Sequence, residues 1–432
     1  MVTLVIIFCV AYLAIAFEHK LGIDKSIPAL LGAGLIWAHI SLSGIPLMDN
    51  ISAEQSILHH VSEISGILFF LMGAMTIVSH LEIRGSLNLL QRWIKTENQI
   101  RLIWVVTILT FFASAVLDNL TTTIVMIAIL QRIIRKRGDM LLIGVIIIIS
   151  ANAGGAWSPI GDVTTTMLWI DGKVTTFPLI KNVFIASLVQ ATFIPILLTL
   201  SKSLLNKLTG GIIETKEITE KNETSIEHNG KVVMLCVGIG ALIFVPIFKQ
   251  ITHLPPFVGM LIGVCVVSIV NEYYNRKTHK SYHITYHHML QKVEWNAILF
   301  FLGILLAVGA FQSIAINETS SLVYAASILR NYVNEEILGI IFGIFSSIID
   351  NVPLVAAAQG MFDFPQDHWF WYYLAYCAGT GGSILIIGSA AGVVAQSILK
   401  IDFMWYMKKF SILILLSFLA GALVFLLQLK IF

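Results

Sequence analysis

Charge is what this sequence has least of. Only 12% of its 432 residues are Asp, Glu, Lys or Arg, where soluble domains carry about 25%. With 57% hydrophobic residues and a mean hydropathy of +0.86, the chain has too little polar surface to cover itself. Its solvent is lipid. A net charge of +2 supplies no basic field for nucleic acid. Cysteine is also scarce. Cys9, Cys236, Cys265 and Cys377 each lie in an apolar run without a CxxC neighbour, which excludes a disulfide or zinc framework and predicts free, buried thiols. Met1 to Phe17 has no basic residues ahead of its apolar core, so it is expected as a retained span rather than a leader, and no transit peptide is visible.

Apolar runs long enough to span a bilayer occupy about 2–17, 27–43, 57–80, 141–170, 178–201, 232–249, 256–272, 293–313, 367–399 and 404–430. Two more, about 101–130 and 335–361, are interrupted by Asp118-Asn119 and by Asp350-Asn351-Val352-Pro353. Two half-length arms around a polar tip predict a re-entrant hairpin, which membrane depth tolerates only beside protein or a cavity. The 141–170 and 367–399 runs are broken as well, by Gly154-Gly155 and Pro159-Ile160-Gly161-Asp162, and by Gly381-Gly382 and Gly388-Ser389.

The halves repeat one another. Glu63-x3-Ile67-Leu68-Phe69-Phe70-Leu71 recurs as Glu294-x3-Ile298-Leu299-Phe300-Phe301-Leu302. Ser114-x3-Asp118-Asn119 recurs as Ser346-x3-Asp350-Asn351, and Gly154-Gly155-x5-Gly161 as Gly381-Gly382-x5-Gly388. Three motifs in one order and register imply duplication. Arg92, Lys95, Arg101, Arg132, Arg135, Lys136 and Arg137 flank the first hairpin, whereas Glu335, Glu336, Asp363 and Asp367 flank the second. The positive-inside rule then opens the first to the cytoplasm and the second to the outside. The expected fold is an all-α polytopic membrane protein of two inverted repeats, each with a re-entrant hairpin and a broken helix.

The expected division is an N-terminal span at 1–25, repeat 1 at 26–201, a cytoplasmic linker at 202–231, a connecting span at 232–250 and repeat 2 at 251–432. Both termini fall outside. Segments 81–98 and 315–333 read as interfacial helices holding the hairpins.

Carboxylates at membrane depth carry the functional signal. A charge there costs at least about 2.5–3.5 kcal/mol, so Asp118, Asp162 and Asp350 imply a partner. No Lys or Arg lies near them within an apolar run, which favours a cation or a proton. Hard cations take oxygen ligands. The carboxylates, the amides of Asn119, Asn351 and Asn152, the hydroxyls of Ser114, Ser346, Ser158, Thr164, Thr165 and Ser389, and carbonyls at Gly154, Gly155, Gly381 and Gly382 are the candidates. A sodium ion is expected at each hairpin tip, Asp118/Asn119 and Asp350/Asn351. Glu63 and Glu294 are possible supporting carboxylates, equally readable as scaffold residues. Clustered carboxylates also favour holding a proton when no cation is bound, so two cations would compete for one site.

The string Ser150-Ala151-Asn152-Ala153-Gly154-Gly155-Ala156-Trp157-Ser158-Pro159-Ile160-Gly161-Asp162-Val163-Thr164-Thr165-Thr166, with Asp118-Asn119-Leu120-Thr121-Thr122-Thr123 and Asp350-Asn351-Val352-Pro353-Leu354-Val355, closely resembles the NhaD-type sodium/proton antiporters of the ion-transporter superfamily. The likeness runs from Glu63 to the end. It implies export of Na+ and Li+ against H+, a scaffold and a mobile transport domain, and a homodimer in a bacterial inner membrane. No organic cofactor and no nucleic acid is expected; the partners are lipid and small inorganic cations. Related divalent-anion symporters carry neutral hairpin tips, and tip aspartates would repel a dicarboxylate or arsenite. An intramembrane aspartyl protease would need glycine where Pro159 stands. His279, His283, His287 and His288 read as a solvated loop rather than a metal site.

Overall fold

Nine of the described helices are long and apolar enough to cross a bilayer, which makes the chain a multi-span membrane protein. The structure, a computed structural model, describes residues 1–16, 18–48, 51–94, 98–134, 136–201, 225–278, 290–316 and 319–431. Most of the expected linker, from 202 to 224, and the histidine segment His279–His288 lie outside the described residues.

Six helices form one bundle: α1 (Val2–Ala16), α2 (Ser26–Ser43), α3 (Ala53–Ile83), then, further along the chain, Ser225–Thr252, Pro256–Thr278 and Trp295–Ser313. Between α3 and Ser225 come α4 (Gln99–Leu117), α5 (Asn119–Ile133), α6 (Arg137–Ala156), α7 (Val163–Ile170) and α8 (Thr176–Leu200). The three later members of the first bundle are therefore α9, α10 and α11. The chain continues as α12 (Ser321–Arg330), α13 (Glu335–Ser346), α14 (Asn351–Met361), α15 (Trp369–Gly381), α16 (Ala390–Leu399) and α17 (Ile412–Ile431).

Helices α4–α8 and α13–α17 pack together as a second bundle, with α6 against α4 and α15 against α13. Its interior is close to continuous: Ile143, Val145, Ile147, Ile148, Tyr373, Leu374 and Tyr376 are fully buried. Leu42, Phe177, Leu200, Ile251, Ile269 and Ile412 remain exposed and form a surface suited to lipid chains.

The broken segments sit where the polar clusters stand. α4 gives way to α5 at Asp118, α13 to α14 across Ser347–Asp350, α6 to α7 across Trp157–Asp162, and α15 to α16 across Gly382–Ser389. In every case a side chain accepts from the backbone of the following half: Asp118 from Thr121, Asp350 from Val352, Asp162 from Thr164 and Ser389 from Gly392. Such caps satisfy backbone donors that a half-helix inside protein could not otherwise pair.

Several expectations need correction. Helix α9 starts at Ser225, inside the segment expected as linker, because a nucleated helix continues past its apolar run. Gly154 and Gly155 lie within α6, and Gly381 within α15, not in unwound loops. A Cβ on Gly154 would strike the Phe111 backbone and one on Gly381 the Gly343 backbone, so glycine is required there for close helix approach. Segment 315–333 is not one helix: Ala315–Ile316 pairs antiparallel with Thr319–Ser320 before α12. Segment 81–98 holds a 3₁₀ helix, Ser86–Ile94. Only Cys377 is buried; Cys9, Cys236 and Cys265 are exposed on the apolar surface, and all four are free.

Candidate functional site

A cavity of about 310 Å³ lies between the two bundles. Asp118, Asn119, Asp162, Asp350 and Asn351 line it from the second bundle, and Phe70, Met75, Glu294 and Phe301 from the first. Elements far apart in sequence thus bring all three membrane aspartates to one space.

Asp162 is its centre. It is 2% exposed. Its Oδ1 accepts from the Thr164 N–H at 3.0 Å, and its Oδ2 from Asn119 Nδ2 at 3.1 Å and Asn351 Nδ2 at 3.3 Å. The asparagines that follow the two hairpin-tip aspartates therefore meet on a single carboxylate. The equivalent position in the second broken helix is Ser389, so the centre holds one carboxylate, not two.

The tips differ from each other. Both oxygens of Asp118 are taken locally, Oδ1 by the Thr121 N–H and Oδ2 by Thr121 Oγ1, each at 2.8 Å. Its backbone, at φ 70° and ψ 160°, is in a region that non-glycine residues rarely enter. Strain of this kind, worth about 1–3 kcal/mol, persists where the surroundings over-determine it and clusters at ligand clamps and switch regions. Asp350 instead reaches across the cavity: the Lys25 ammonium donates to its Oδ2 at 3.2 Å. A cation or proton is expected in the sequence because no base lies near the aspartates, and the Lys25–Asp350 pair corrects that expectation. Lys25, together with Glu18, Asp24, Asn296 and Thr166, lines the cavity without having been expected there. A basic residue beside an acidic one at the edge of an apolar run reads locally as an ordinary interfacial pair.

Other expected ligands form a layer behind the cavity wall. Asn152 accepts from Asn119 Nδ2 at 3.1 Å and donates to Ser383 at 2.9 Å and Ser389 at 2.8 Å, joining the two broken helices. Ser158 donates to the Ala115 carbonyl at 2.5 Å, and Thr165 to the Ser158 carbonyl at 2.8 Å. Thr164 contributes the N–H that caps α7 through Asp162. Ser114 and Ser346 donate to the carbonyls of Ala151 and Ala378, both at 2.6 Å, and so fasten each hairpin to its broken helix. Gly155 and Gly382 sit against Gly161 and Gly388, leaving no room for a Cβ. Glu63 is not part of the cavity. Its half-exposed carboxylate lies 3.3 Å from His59 and 3.5 Å from His60, whereas Glu294, at the matching sequence motif, faces the cavity. Each serine tether is a single neutral bond. Ser114→Ala and Ser346→Ala are accordingly expected to cost only about 1 kcal/mol each, a fall of a few degrees in the melting temperature of the purified protein.

Electrostatics sort the possible cargo. Four half-helix N-termini point inward here, each equivalent to roughly +0.5 charge. Left neutral, they favour anions. In this chain three of the four carry an aspartate cap, Asp118, Asp162 and Asp350. Among the described residues, six carboxylates line the cavity against one ammonium. These caps, with Glu18, Asp24 and Glu294 beside them, give the described wall an excess of negative charge.

Comparisons with known proteins place the chain among membrane transporters. The family described as citrate transporter matches residues 12–377. Sodium/proton antiporter 2 of Arabidopsis thaliana is 40% identical, over 98% of this chain and 98% of its own length. Sodium/proton antiporter 1 of the same plant is 40% identical, over 95% of this chain and 69% of its own length. The Na(+)/H(+) antiporter NhaD of Vibrio cholerae is 30% identical, over 90% of this chain and 83% of its own length. The chain belongs to the NhaD-type sodium/proton antiporter family. Relatives occur in a plant as well as in bacteria, so membership in the NhaD family does not by itself assign a bacterial membrane.

Proposed function

We propose that this protein exchanges Na+, and Li+, for H+ across a cell membrane by alternating access, with Asp162 as the shared site of the two cations. The observation that carries this reading is the placing of one buried carboxylate between the Asn119 and Asn351 amides, with Asp118 and Asp350 flanking it in the same cavity. Each amide turns its nitrogen to Asp162. Its oxygen is the atom that would turn to sodium, while the carboxylate supplies the charge. A proton on Asp162 and a sodium ion beside it exclude each other, so binding one expels the other. Repeats of opposite orientation would then expose the site to each side in turn.

The orientation follows from charge. The cavity rim at Glu18, Asp24, Lys25 and Asn296 lies at the same helix ends as Arg84, Arg101, Lys136 and Arg137, and the positive-inside rule places those ends in the cytoplasm. In this arrangement the cavity faces the cytoplasm, where sodium to be exported binds, and both termini lie outside.

The experiment is an imposed inside-acid pH gradient across reconstituted vesicles, followed by NaCl. Na+ or Li+ should dissipate the gradient while choline does not. No response to any alkali cation across about pH 6.5–9.5 would overturn the reading. Competition also fixes a sign: more protons occupy Asp162 as pH falls, so the apparent KM for Na+ should rise as pH falls. A KM independent of pH would exclude a shared site.

A further inference from the structure

Among the described residues that line the cavity, Lys25 is the one cation, and the exchange reading leaves it without a task. Its backbone is fixed to the first bundle. Asp24 accepts from the Ser26 N–H at 2.9 Å and Ser26 Oγ at 2.6 Å, which caps α2, and from Asn296 Nδ2 at 2.7 Å, which holds that cap to α11. From this anchored position the ammonium lies 4.3 Å over the Phe300 ring and donates to Asp350 at the tip of the second bundle. The pair is partly buried, with side-chain exposures of 26% and 18%. The contact therefore bridges the two bodies that alternating access must move past each other. It also occupies the carboxylate that the second tip would offer to sodium. At the opposite end of the bundle interface, Lys249 of α9 donates to the Trp169 carbonyl of α7, but that contact touches no carboxylate of the cavity.

We propose that Lys25 is a tethered competitor for the transported cation: its ammonium holds Asp350 and pins the two bundles together, and sodium must displace it to bind. Two cations cannot share one carboxylate oxygen at contact distance without strong repulsion. Displacement thus couples occupancy to release. The carrier with an empty site stays pinned, and the loaded one is free to reorient. The apparent affinity for sodium is lowered by the fraction of molecules in which Lys25 holds the site.

The inference rests on the exchange reading, and the test separates the two. Sodium-dependent exchange is measured in vesicles for the wild type, Lys25→Gln and Lys25→Arg. Lys25→Gln should lower the apparent KM for Na+ by about three- to tenfold, with KM moving more than kcat, because the competitor is gone. Lys25→Arg keeps the charge and should keep KM well above that of Lys25→Gln. In the wild-type protein, a membrane-impermeant N-hydroxysuccinimide ester, followed by peptide mass mapping, should acylate Lys25 faster in NaCl than in choline chloride. This second measurement holds even where Lys25→Gln fails to fold. Exchange by the wild type with an unmoved KM in Lys25→Gln, or acylation of Lys25 indifferent to sodium, would overturn the role of Lys25 alone. A wild type that exchanges no sodium would overturn the exchange reading itself.

Discussion

Asp162→Asn is expected to abolish sodium-dependent proton movement while leaving the protein folded. Asparagine matches aspartate in shape and caps helices equally well, so its Oδ1 can still accept from the Thr164 N–H. The loss falls on the other oxygen. It becomes an NH2 group facing the amide nitrogens of Asn119 and Asn351, which now need other acceptors. The buried negative charge is gone as well. Removing one member of a buried, hydrogen-bonded charged set costs about 2–5 kcal/mol, which corresponds to a fall of about 30-fold or more in affinity. The proton has no seat either, so exchange should drop below detection in the vesicle assay, with the melting temperature within a few degrees of wild type. Retained exchange would move the cation site elsewhere.

Gly381→Val is expected to damage stability more than any polar substitution at the site. A Cβ on Gly381 would overlap the backbone carbonyl, carbon and Cα of Gly343, and no rotamer change relieves a backbone clash. Helices α13 and α15 would have to separate. That displaces the Ser346 tether to Ala378 and the packing of Gly343 against Phe418. Overpacking costs about 1–3 kcal/mol where side chains can yield, and here they cannot. The purified variant should melt far below wild type or be lost to aggregation before reconstitution. Gly34→Ala is the control, since a Cβ there meets nothing within 4 Å. Near-wild-type melting of Gly381→Val would mean that the close helix approach is not required.

Much of this was legible in the sequence because membrane burial leaves few reasons for a polar residue. Apolar runs marked most of the spans, although the first hairpin arm, Gln99–Leu117, is long enough to cross rather than half-length, and the Asp118, Asp162 and Asp350 clusters marked where helices break. What stayed hidden was of two kinds. Glycine pairs serve equally for unwinding and for close approach, and only the position of the Phe111 and Gly343 backbones shows that Gly154 and Gly381 do the second. Pairings made by tertiary structure alone left no local trace. Lys25 is 325 residues from Asp350. Glu63 and Glu294 stand at matching motifs in the sequence, yet one meets histidines and the other a cavity. Ser114 and Ser346 stand four residues before the tip aspartates, a spacing that suits ligands, yet both donate to carbonyls of the broken helices.

The shared carboxylate is tested most directly by weighing sodium against protons at equilibrium. Purified protein in lightly buffered detergent solution is titrated with NaCl while a pH electrode follows the medium, with choline chloride as the reference. The account predicts protons released as sodium binds, none with choline, and none from Asp162→Asn. Sodium binding without proton release, or release that persists in Asp162→Asn, would contradict it.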